Sequence, residues 1–215
     1  MTTLTTEQGK SLKFRYLPCL LDLDAQKYLA AEIGKIMLVA PLFRPTMPRS
    51  GKPFSVEMTN CGELGWVSDK DEGYRYQAAH PVTGQPWPPM PDVLIELWRK
   101  VAQTPVMPEA CLINVYQGAA KMGSHQDRDE QDFSTPVLSV SLGDEAVFHV
   151  GGLNRRDPKT RLTLKSGDVI LLEGESRLAF HGIDRVRPGT STLVPGGGRI
   201  NLTLRRVTAP MQSAV

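Results

Sequence analysis

Beyond Gln103 the chain alternates apolar and polar residues in short runs, and this pattern constrains the fold more than any other feature of the sequence. Such alternation is typical of β-strands that bury one face. The runs occupy residues 111–116, 137–142, 146–150, 161–164, 168–172, 178–181 and 200–206. Glycine, proline, aspartate and serine residues separate them, as expected for tight turns. Many short strands at close spacing predict a β-sandwich or barrel, and a jelly roll fits the pattern well.

Two helical segments precede these strands. Residues 24–39 predict an amphipathic helix whose apolar stripe consists of Tyr28, Leu29, Ile33, Ile36 and Met37. A second helix is predicted to begin at Pro91 or just after it, with Val93, Leu94, Leu97, Trp98 and Val101 at helical spacing. Prolines exclude helix from the two intervening loops, 41–53 and 80–91. The predicted class is therefore α+β, mainly β, with the N-terminal helices packed on one face of the β-structure.

Composition places the chain among ordinary soluble globular proteins. Its 215 residues are 40% hydrophobic and 22% charged, which suffices for one domain with a full core. These values exclude a disordered tail, a collagen-like fibre and a coiled coil. No apolar run approaches the roughly 18–20 residues of a membrane span, residues 1–10 lack a signal-peptide pattern, and three distant cysteines do not suggest a disulfide framework. We expect a cytoplasmic monomer with no membrane partner.

The net charge of +2 conceals an asymmetry along the chain. Residues 1–146 carry 14 Lys and Arg against 18 Asp and Glu, whereas residues 147–215 carry 11 against 5. A basic C-terminal third is suited to contacts with phosphate groups. Scattered, solvated surface arginines explain the same excess equally well, so charge alone leaves both interpretations open.

His125 and Asp127 lie two residues apart, directly after a predicted strand and turn. In an extended segment residues i and i+2 point the same way, so both side chains can reach one ion. His181 ends the run 178–181 and offers a second imidazole. Two histidines and one carboxylate form the facial triad of non-haem Fe(II) oxygenases, whereas a structural zinc site takes four ligands and commonly uses cysteines. A solitary His-x-Asp is more often a surface turn, so the triad is a hypothesis at this point.

The last predicted strand separates charged and apolar residues onto opposite faces. Arg199, Asn201, Thr203 and Arg205 share one face, and Ile200, Leu202 and Leu204 share the other. If the polar face lines the interior of the sandwich, its guanidinium groups require anions or acceptors there, and carboxylates suit them. The alternative is an edge strand whose polar face is solvated.

Five ordered blocks of sequence carry a family resemblance, and they comprise residues 58–66, 111–116, 125–130, 151–158 and 199–205. Together they resemble the AlkB family of Fe(II)/2-oxoglutarate dioxygenases, which are nucleic-acid demethylases. The likeness extends over roughly residues 54–206. It implies a double-stranded β-helix, which is a jelly roll, with a nucleotide-recognition lid. We expect one dioxygenase domain over residues 1–215, with an N-terminal helix and loops in 1–53, the lid in 54–90 and a helix plus jelly-roll core in 91–207.

The resemblance implies a metal and co-substrate site. By similarity, His125, Asp127 and His181 bind Fe(II), which reacts with 2-oxoglutarate and O2. Arg199 holds the far carboxylate of 2-oxoglutarate, and the co-substrate site is completed by Asn114, Tyr116, Asn201 and Arg205.

The resemblance also implies a substrate site. Trp66 stacks on a base that has been flipped out of its strand, opposite His125, and Asp129 presents a carboxylate to that base. Tyr74 and Tyr76 match the pair of lid residues from which phosphate contacts are expected. The remaining positions assigned to the mouth or the pocket are Lys121, Arg155, Met58 and Ser139. Trp66 and Tyr74 are one residue further apart than expected, and the acids between them (Asp69, Asp71 and Glu72) repel phosphate.

The implied activity is oxidative demethylation of N1-methyladenine and N3-methylcytosine in DNA, with release of formaldehyde and conversion of 2-oxoglutarate and O2 to succinate and CO2. Single strands are the expected substrate, because unpaired bases cost less free energy to flip. One alternative is the same chemistry on modified RNA or tRNA bases. Another is a non-catalytic nucleic-acid-binding jelly roll, and a third is a jelly-roll protein that uses a different divalent metal, which the arginine strand disfavours.

Overall fold

The computed structural model describes residues 2–5 and 11–209. Its helices are α1 (Leu23–Val39) and α2 (Asp92–Val101), with a short 3-10 helix at Gly174–Ser176. Its strands are β1 (Thr2–Thr5), β2 (Ser11–Leu17), β3 (Glu57–Gly62), β4 (Gly65–Asp69), β5 (Gly73–Gln77), β6 (Ala110–Tyr116), β7 (Met122–His125), β8 (Val137–Gly143), β9 (Glu145–Val150), β10 (Thr160–Leu164), β11 (Val169–Leu172), β12 (His181–Arg187) and β13 (Arg199–Arg205).

The strands form two large antiparallel sheets and one separate hairpin. A seven-stranded sheet, the major sheet, has the order β1-β2-β11-β8-β13-β6-β3. A four-stranded sheet, the minor sheet, has the order β10-β9-β12-β7, and within the described part of the chain β4 pairs only with β5. Most neighbouring strands in the two large sheets are not consecutive in the sequence, as expected for a jelly roll rather than a meander. The predicted mainly-β jelly roll with helices on one side is confirmed.

The major sheet separates two hydrophobic cores. Alternate residues of its strands, such as Ile113, Val140 and Leu202, pack with α1 and α2 on one side. The opposite residues, such as Leu112 and Ile170, pack toward the minor sheet. Period-two alternation therefore directs the buried side chains of the major sheet to one of these two layers.

Strand β13 lies in the middle of the major sheet, between β8 and β6. Its apolar residues face the helices, so Arg199, Asn201, Thr203 and Arg205 face the space between the two sheets, and all four are buried. The prediction of an inward polar face is confirmed, and the edge-strand alternative is wrong. Burial of two guanidinium groups requires partners inside the sandwich.

Both predicted helices are present. Asp22 caps α1 by accepting a hydrogen bond from the Ala25 N–H (2.8 Å), and α1 buries Leu29, Ile33 and Ile36. Tyr28 departs from the predicted apolar stripe, since it is 57% exposed. In α2 the side chains of Leu94, Leu97, Trp98 and Val101 are buried. No helix of the described residues is long and apolar enough to cross a membrane.

Several strands differ from the sequence prediction. Residues 178–180 are not a strand, because β12 begins at His181 and continues to Arg187. Strands β1 and β2 occupy part of the segment predicted as N-terminal helix and loops. Strands β3, β4 and β5 fall in the predicted lid, where β3 is buried on both faces and therefore lacks alternation.

Candidate active site

The two histidines of the predicted triad meet where β7 ends and β12 begins. His125 and His181 are directly opposite each other in the antiparallel pair, and their ring centroids are 4.5 Å apart. The next pair is Ile183 with Met122. Between the two pairs the chain advances three residues along β7 but only two along β12, and this one-residue mismatch is a β-bulge. A bulge increases local twist and can redirect side chains. Glycine at 182 permits this close approach, because a Cβ there would lie 2.5 Å from the Met122 carbonyl oxygen.

Asp127 completes the cluster from the segment that follows β7. Its Oδ1 lies 3.7 Å from His125 Nε2, and its Oδ2 lies 3.7 Å from His181 Nε2. One ligand atom from each of the three residues lies within 4.8 Å of the others. The i, i+2 spacing and the cross-strand pairing therefore bring three donors to one point, as the sequence predicted.

Backbone carbonyls orient both imidazole rings. His125 Nδ1 lies 2.9 Å from the Gly123 carbonyl oxygen, and His181 Nδ1 lies 2.9 Å from that of Ala179. A carbonyl only accepts, so each Nδ1 carries a proton, and in the neutral ring Nε2 then has the lone pair on the side of Asp127. Burial, and the nearby His125, lower the pKa of His181 to about 4. His181 is thus neutral at pH 7, the state in which imidazole binds a metal.

Asp127 is held as a buried carboxylate. Burial by itself raises its pKa, but the guanidinium of Arg205, 2.9 Å from Oδ1, and the two histidines outweigh it and hold the pKa below the usual range for aspartate. Its Oδ2 has no hydrogen-bond partner among the described residues although it is buried. A bare carboxylate oxygen beside two imidazole lone pairs fits a divalent cation, and two histidines with one carboxylate favour Fe(II).

Arg199 forms a second incomplete site on β13. It is 1% exposed, its Nη2 donates to Ser141 Oγ (3.1 Å), and its Cζ lies 5.2 Å from the centroid of the Tyr116 ring. Its Nε and Nη1 have no partner among the described residues. Burial lowers the pKa of Arg199, yet a guanidinium stays charged in proteins. Unpaired donors on a buried guanidinium fit an anionic partner such as a carboxylate.

Asparagine side chains lie beside this arginine. Asn114 faces Asn201 across β6 and β13, with its Nδ2 3.5 Å from Asn201 Oδ1. Asn201 Nδ2 donates to Ser139 Oγ (2.7 Å), and the Thr203 hydroxyl donates to Asn201 Oδ1 (3.1 Å). Asn114 Oδ1 is buried without a partner among the described residues. Asn201 and Ser139 are thus fixed by neighbouring strands, while Asn114 keeps one free acceptor.

One cavity of about 1200 Å³ joins these groups. Each site residue assigned from the sequence lines it: His125, Asp127, His181, Asn114, Tyr116, Arg199, Asn201, Arg205, Trp66, Tyr74, Tyr76, Asp129, Arg155, Lys121, Met58 and Ser139. The cavity is large enough for a small dicarboxylate together with an aromatic base.

The hairpin of β4 and β5, here called the lid hairpin, supplies aromatic side chains. Trp66 stacks against Tyr74, with ring centroids 5.6 Å apart and an interplanar angle of 23°. The Trp66 indole Nε1 donates to Asp129 Oδ2 at 2.8 Å. The lid hairpin is therefore hydrogen-bonded to the segment that carries Asp127.

Tyr76 has a different partner from the phosphate that the resemblance implies. Its hydroxyl donates to Glu130 Oε1 (2.5 Å), and burial raises the pKa of Tyr76. Glu130 is buried and also contacts Arg177 (3.2 Å) and Arg205 (3.3 Å). The burial of Glu130 and Arg177 was not predictable, since a charged residue in a polar segment gives no sign of burial. The network connects the lid hairpin to Asp127 through Arg205.

The acids of the lid hairpin are partly neutralised. Arg75 lies 2.7 Å from Asp69 Oδ2 and 2.9 Å from Glu72 Oε2. Among the described residues this leaves Asp71 without an ion pair, so the expected repulsion of phosphate is reduced. At the other side of the mouth Arg155 donates to the Ser124 carbonyl (2.5 Å), with its Cζ 4.9 Å from the Phe180 ring centroid.

The remaining assigned residues differ in exposure. Lys121 is exposed at the cavity mouth. Met58 is fully buried on β3 and packs with the core between the sheets, directly across from Asn114. Met58 therefore forms part of the inner wall, whereas Lys121 is free to contact a molecule outside the cavity.

Comparison with known proteins gives a consistent result. A family model described as the 2OG-Fe(II) oxygenase superfamily matches residues 13–205. The chain is 54% identical over 193 residues to the alpha-ketoglutarate-dependent dioxygenase AlkB homolog of Caulobacter vibrioides, covering 90% of this chain and 87% of that protein. It is 42% identical over 187 residues to the alpha-ketoglutarate-dependent dioxygenase AlkB of Escherichia coli, covering 85% of each.

A solved structure agrees with these sequence matches. The structure of OsALKBH1 superposes with a TM-score of 0.78 at 30% sequence identity, covering 92% of this chain and 99% of that chain. The family resemblance seen in the sequence is confirmed. The chain therefore belongs to the 2OG-Fe(II) oxygenase superfamily and, within it, to the AlkB dioxygenases, enzymes that require Fe(II), 2-oxoglutarate and O2.

Proposed function

We propose that this dioxygenase removes N-methyl groups from N1-methyladenine and N3-methylcytosine in single-stranded DNA. His125, Asp127 and His181 hold the Fe(II), and Arg199 holds 2-oxoglutarate. The observation that carries the proposal is the pair of incomplete buried sites in one cavity: Asp127 Oδ2 lacks a partner at one, and Arg199 Nε and Nη1 lack partners at the other, among the residues described. A buried polar atom without a partner is costly, so each site is explained by a ligand.

The proposed metal site has three protein ligands, fewer than a full coordination shell. Oxidation of an N-methyl C–H bond is beyond side chains alone, and bound Fe(II), 2-oxoglutarate and O2 supply it. The protein contributes two Nε2 lone pairs and one carboxylate from a single side, which leaves further metal positions for co-substrate and oxygen. Hydrogen bonds from the two Nδ1 atoms to backbone carbonyls prevent the rings from rotating away.

The arginine site orients the co-substrate. The buried guanidinium of Arg199 offers its unpaired donors to the far carboxylate, and the Tyr116 ring packs against it. Arg205 lies at the metal end, where it stabilises Asp127 as a carboxylate. These two arginines of β13 therefore support the two ends of the proposed co-substrate site.

The lid hairpin orients the substrate. The indole of Trp66 provides a flat surface for a flipped base, and a cationic methylated base over an indole face gains about 0.5–2 kcal/mol. Asp129 provides an acceptor beside that surface. Lys121 and Arg155 line the mouth, where the phosphates of a strand would pass. We propose residues 54–90 as the substrate lid of a single domain spanning residues 1–215.

Alternative functions receive less support. A complete His-Asp-His cluster and the free donors of Arg199 have no purpose in a non-catalytic binding module. A metalloprotein of another kind leaves the buried Arg199 unexplained. Activity on RNA bases uses the same residues, so the substrate assay must include RNA.

The deciding experiment measures formaldehyde released from matched DNA and RNA oligonucleotides that each carry one N1-methyladenine, with Fe(II), 2-oxoglutarate and ascorbate. Faster release from DNA supports the proposal. Release mainly from RNA retains the mechanism and contradicts the DNA assignment. No release from either, with iron and 2-oxoglutarate bound, contradicts the substrate assignment altogether.

A further inference from the structure

The segment between β7 and β8, residues 126–136, carries Asp127 but belongs to no helix or strand of the described structure. His125 and His181, by contrast, lie on strands that pair with each other. Strand pairing therefore sets the places of the two imidazoles, whereas the place of Asp127 depends on other contacts. Arg205 holds one carboxylate oxygen of Asp127, but this bond leaves the backbone of the segment unfixed.

One buried side chain, that of Arg177, holds the backbone of this segment. Arg177 is 2% exposed. Its Nη1 donates to the Asp127 carbonyl oxygen (2.8 Å), and its Nε donates to the Thr135 carbonyl oxygen (3.0 Å). Its Nη2 donates to Glu130 Oε2 (3.2 Å). A guanidinium is planar and presents its donors in a fixed geometry, so these bonds fix three points of the segment relative to one rigid group.

The residues that connect Arg177 to His181 contribute to the same arrangement. The Leu178 carbonyl accepts a hydrogen bond from Gln126 Nε2 (2.6 Å). The Ala179 carbonyl accepts the hydrogen bond from the His181 ring (2.9 Å). One short stretch of chain therefore orients His181 and, through Arg177, also fixes the backbone that carries Asp127.

We propose that Arg177 is a positioning residue for the metal site, because it holds Asp127 at a set place relative to His181 before a metal ion binds. This inference rests on the proposed function, which assigns the metal to His125, Asp127 and His181. Without Arg177 the metal ion itself must order the segment 126–136, and the entropy lost in that ordering opposes binding. Groups that support a metal ligand commonly contribute about 10–100-fold to metal affinity.

Substitution of Arg177 tests the proposal through metal binding rather than turnover. Arg177→Met keeps a long side chain and removes every donor, whereas Arg177→Lys keeps the charge beside Glu130 but lacks the planar fork. The probe is Co(II), which binds to N and O ligands as Fe(II) does. The Kd for Co(II), titrated into the metal-free protein, should rise by about 10–100-fold in Arg177→Met and by less in Arg177→Lys.

Arg15→Met is the matched control. The Arg15 guanidinium is also partly buried, and its Nη2 donates to the Val101 carbonyl oxygen (2.7 Å) and to Glu173 Oε2 (2.8 Å). These bonds connect β2 to the end of α2 and to the residue after β11. Both Arg15→Met and Arg177→Met should lower the free energy of unfolding, measured with denaturant, but only Arg177→Met should weaken Co(II) binding.

A wild-type Kd for Co(II) in Arg177→Met overturns the proposal, and so does an equal rise in Arg15→Met, because the effect then follows from lost stability alone. If Arg177→Met does not fold, Arg177→Lys decides, and an unchanged Kd in that variant overturns the proposal. Failure of the proposed metal site is recognised separately, because Asp127→Ala then binds Co(II) as tightly as the wild-type protein. That result would overturn this inference as well.

Discussion

The inner and outer ends of the cavity are built in different ways. At the inner end the metal cluster and Arg199 are carried by the two large sheets and the segment after β7, and Arg199 is 1% exposed. At the outer end Trp66 and Tyr74 lie on a two-stranded hairpin outside both sheets, and Tyr74 is 49% exposed. Side-chain hydrogen bonds connect this hairpin to neighbouring segments, among them Trp66 to Asp129, Tyr76 to Glu130 and Ser68 to the Thr46 carbonyl.

This structural difference corresponds to a division between the reaction, at the inner end of the cavity, and the choice of substrate, at the outer end. Strands inside large sheets open only with much of the fold, whereas a peripheral two-stranded hairpin can open at a lower free-energy cost. We therefore expect substitutions at the inner end to abolish turnover of all substrates alike. Substitutions at the outer end should change which substrate is accepted and how tightly it binds. Variants at each end can test that division.

The largest effect is expected at the metal cluster. Asp127→Ala removes the carboxylate that lies between the two imidazoles. Loss of a group that only supports a metal ligand lowers metal affinity or activity by about 10–100-fold. Loss of the ligand itself should therefore lower formaldehyde release by more than about a hundredfold for every substrate. Bound iron should fall in parallel. Asp24→Asn, at the exposed start of α1, is the control, and retained activity in Asp127→Ala would remove this residue from the metal site.

The next effect is expected at the arginine site. Arg199→Gln leaves a buried carboxylate of 2-oxoglutarate without its charged partner, which costs about 3–5 kcal/mol. The KM for 2-oxoglutarate should rise by roughly a hundredfold or more, while binding of the oligonucleotide changes little. Arg199→Lys keeps the charge without the fork and should give an intermediate KM. An unchanged KM in both variants would contradict the assignment.

A smaller effect on stability is expected at Asp144, which fixes the loop before Arg199. Its carboxylate accepts backbone N–H groups of Ser191 (2.9 Å) and Gly198 (3.0 Å). Burial raises the pKa of Asp144, but these backbone N–H groups outweigh burial and hold it below its ordinary value. The native state then binds fewer protons than the unfolded state, so this stabilisation is present above about pH 4 and is lost as pH falls further.

Asp144→Asn should therefore lower the free energy of unfolding at pH 7 by about 1–3 kcal/mol. The difference from the wild-type protein should narrow below about pH 4, where the wild-type carboxyl is protonated as well. Denaturant unfolding across that pH range provides the measurement. A difference that stays constant down to about pH 2, well below the ordinary pKa of aspartate, would show that the charge of Asp144 is not involved.

The smallest effect is expected at the base of the lid hairpin. Tyr76→Phe removes the hydroxyl bonded to Glu130 and keeps the ring. Loss of a hydrogen bond that leaves a buried acceptor unpaired costs about 1–3 kcal/mol. Because Glu130 keeps its contacts with Arg177 and Arg205, we expect a cost at the lower end of this range. The KM for the oligonucleotide should rise several-fold, with the KM for 2-oxoglutarate unchanged. A matching rise in both constants would contradict the division between the two ends.

The local sequence pattern was sufficient to predict part of the candidate active site. The i, i+2 spacing of His125 and Asp127 and the alternation of β13 both follow from strand geometry, which repeats every two residues. The bulge between β7 and β12 was not predictable, since it depends on how two distant segments pair. The burial of Glu130 and Arg177 was missed for a related reason, because these two residues pair with each other, and Glu130 also with Tyr76 and Arg205, across long stretches of sequence.

The sequence by itself determined which face of each strand is polar and which residues can bind a metal or a carboxylate, because these properties depend on side-chain chemistry and local spacing. Only the tertiary structure decided that β13 lies between β8 and β6, so that its polar face became an interior wall. Only the tertiary structure brought the lid hairpin into contact with the segment that carries Asp127, through the hydrogen bond from Trp66 to Asp129. Strand order and such contacts depend on pairings between residues far apart in the chain, and a local pattern contains no information about them.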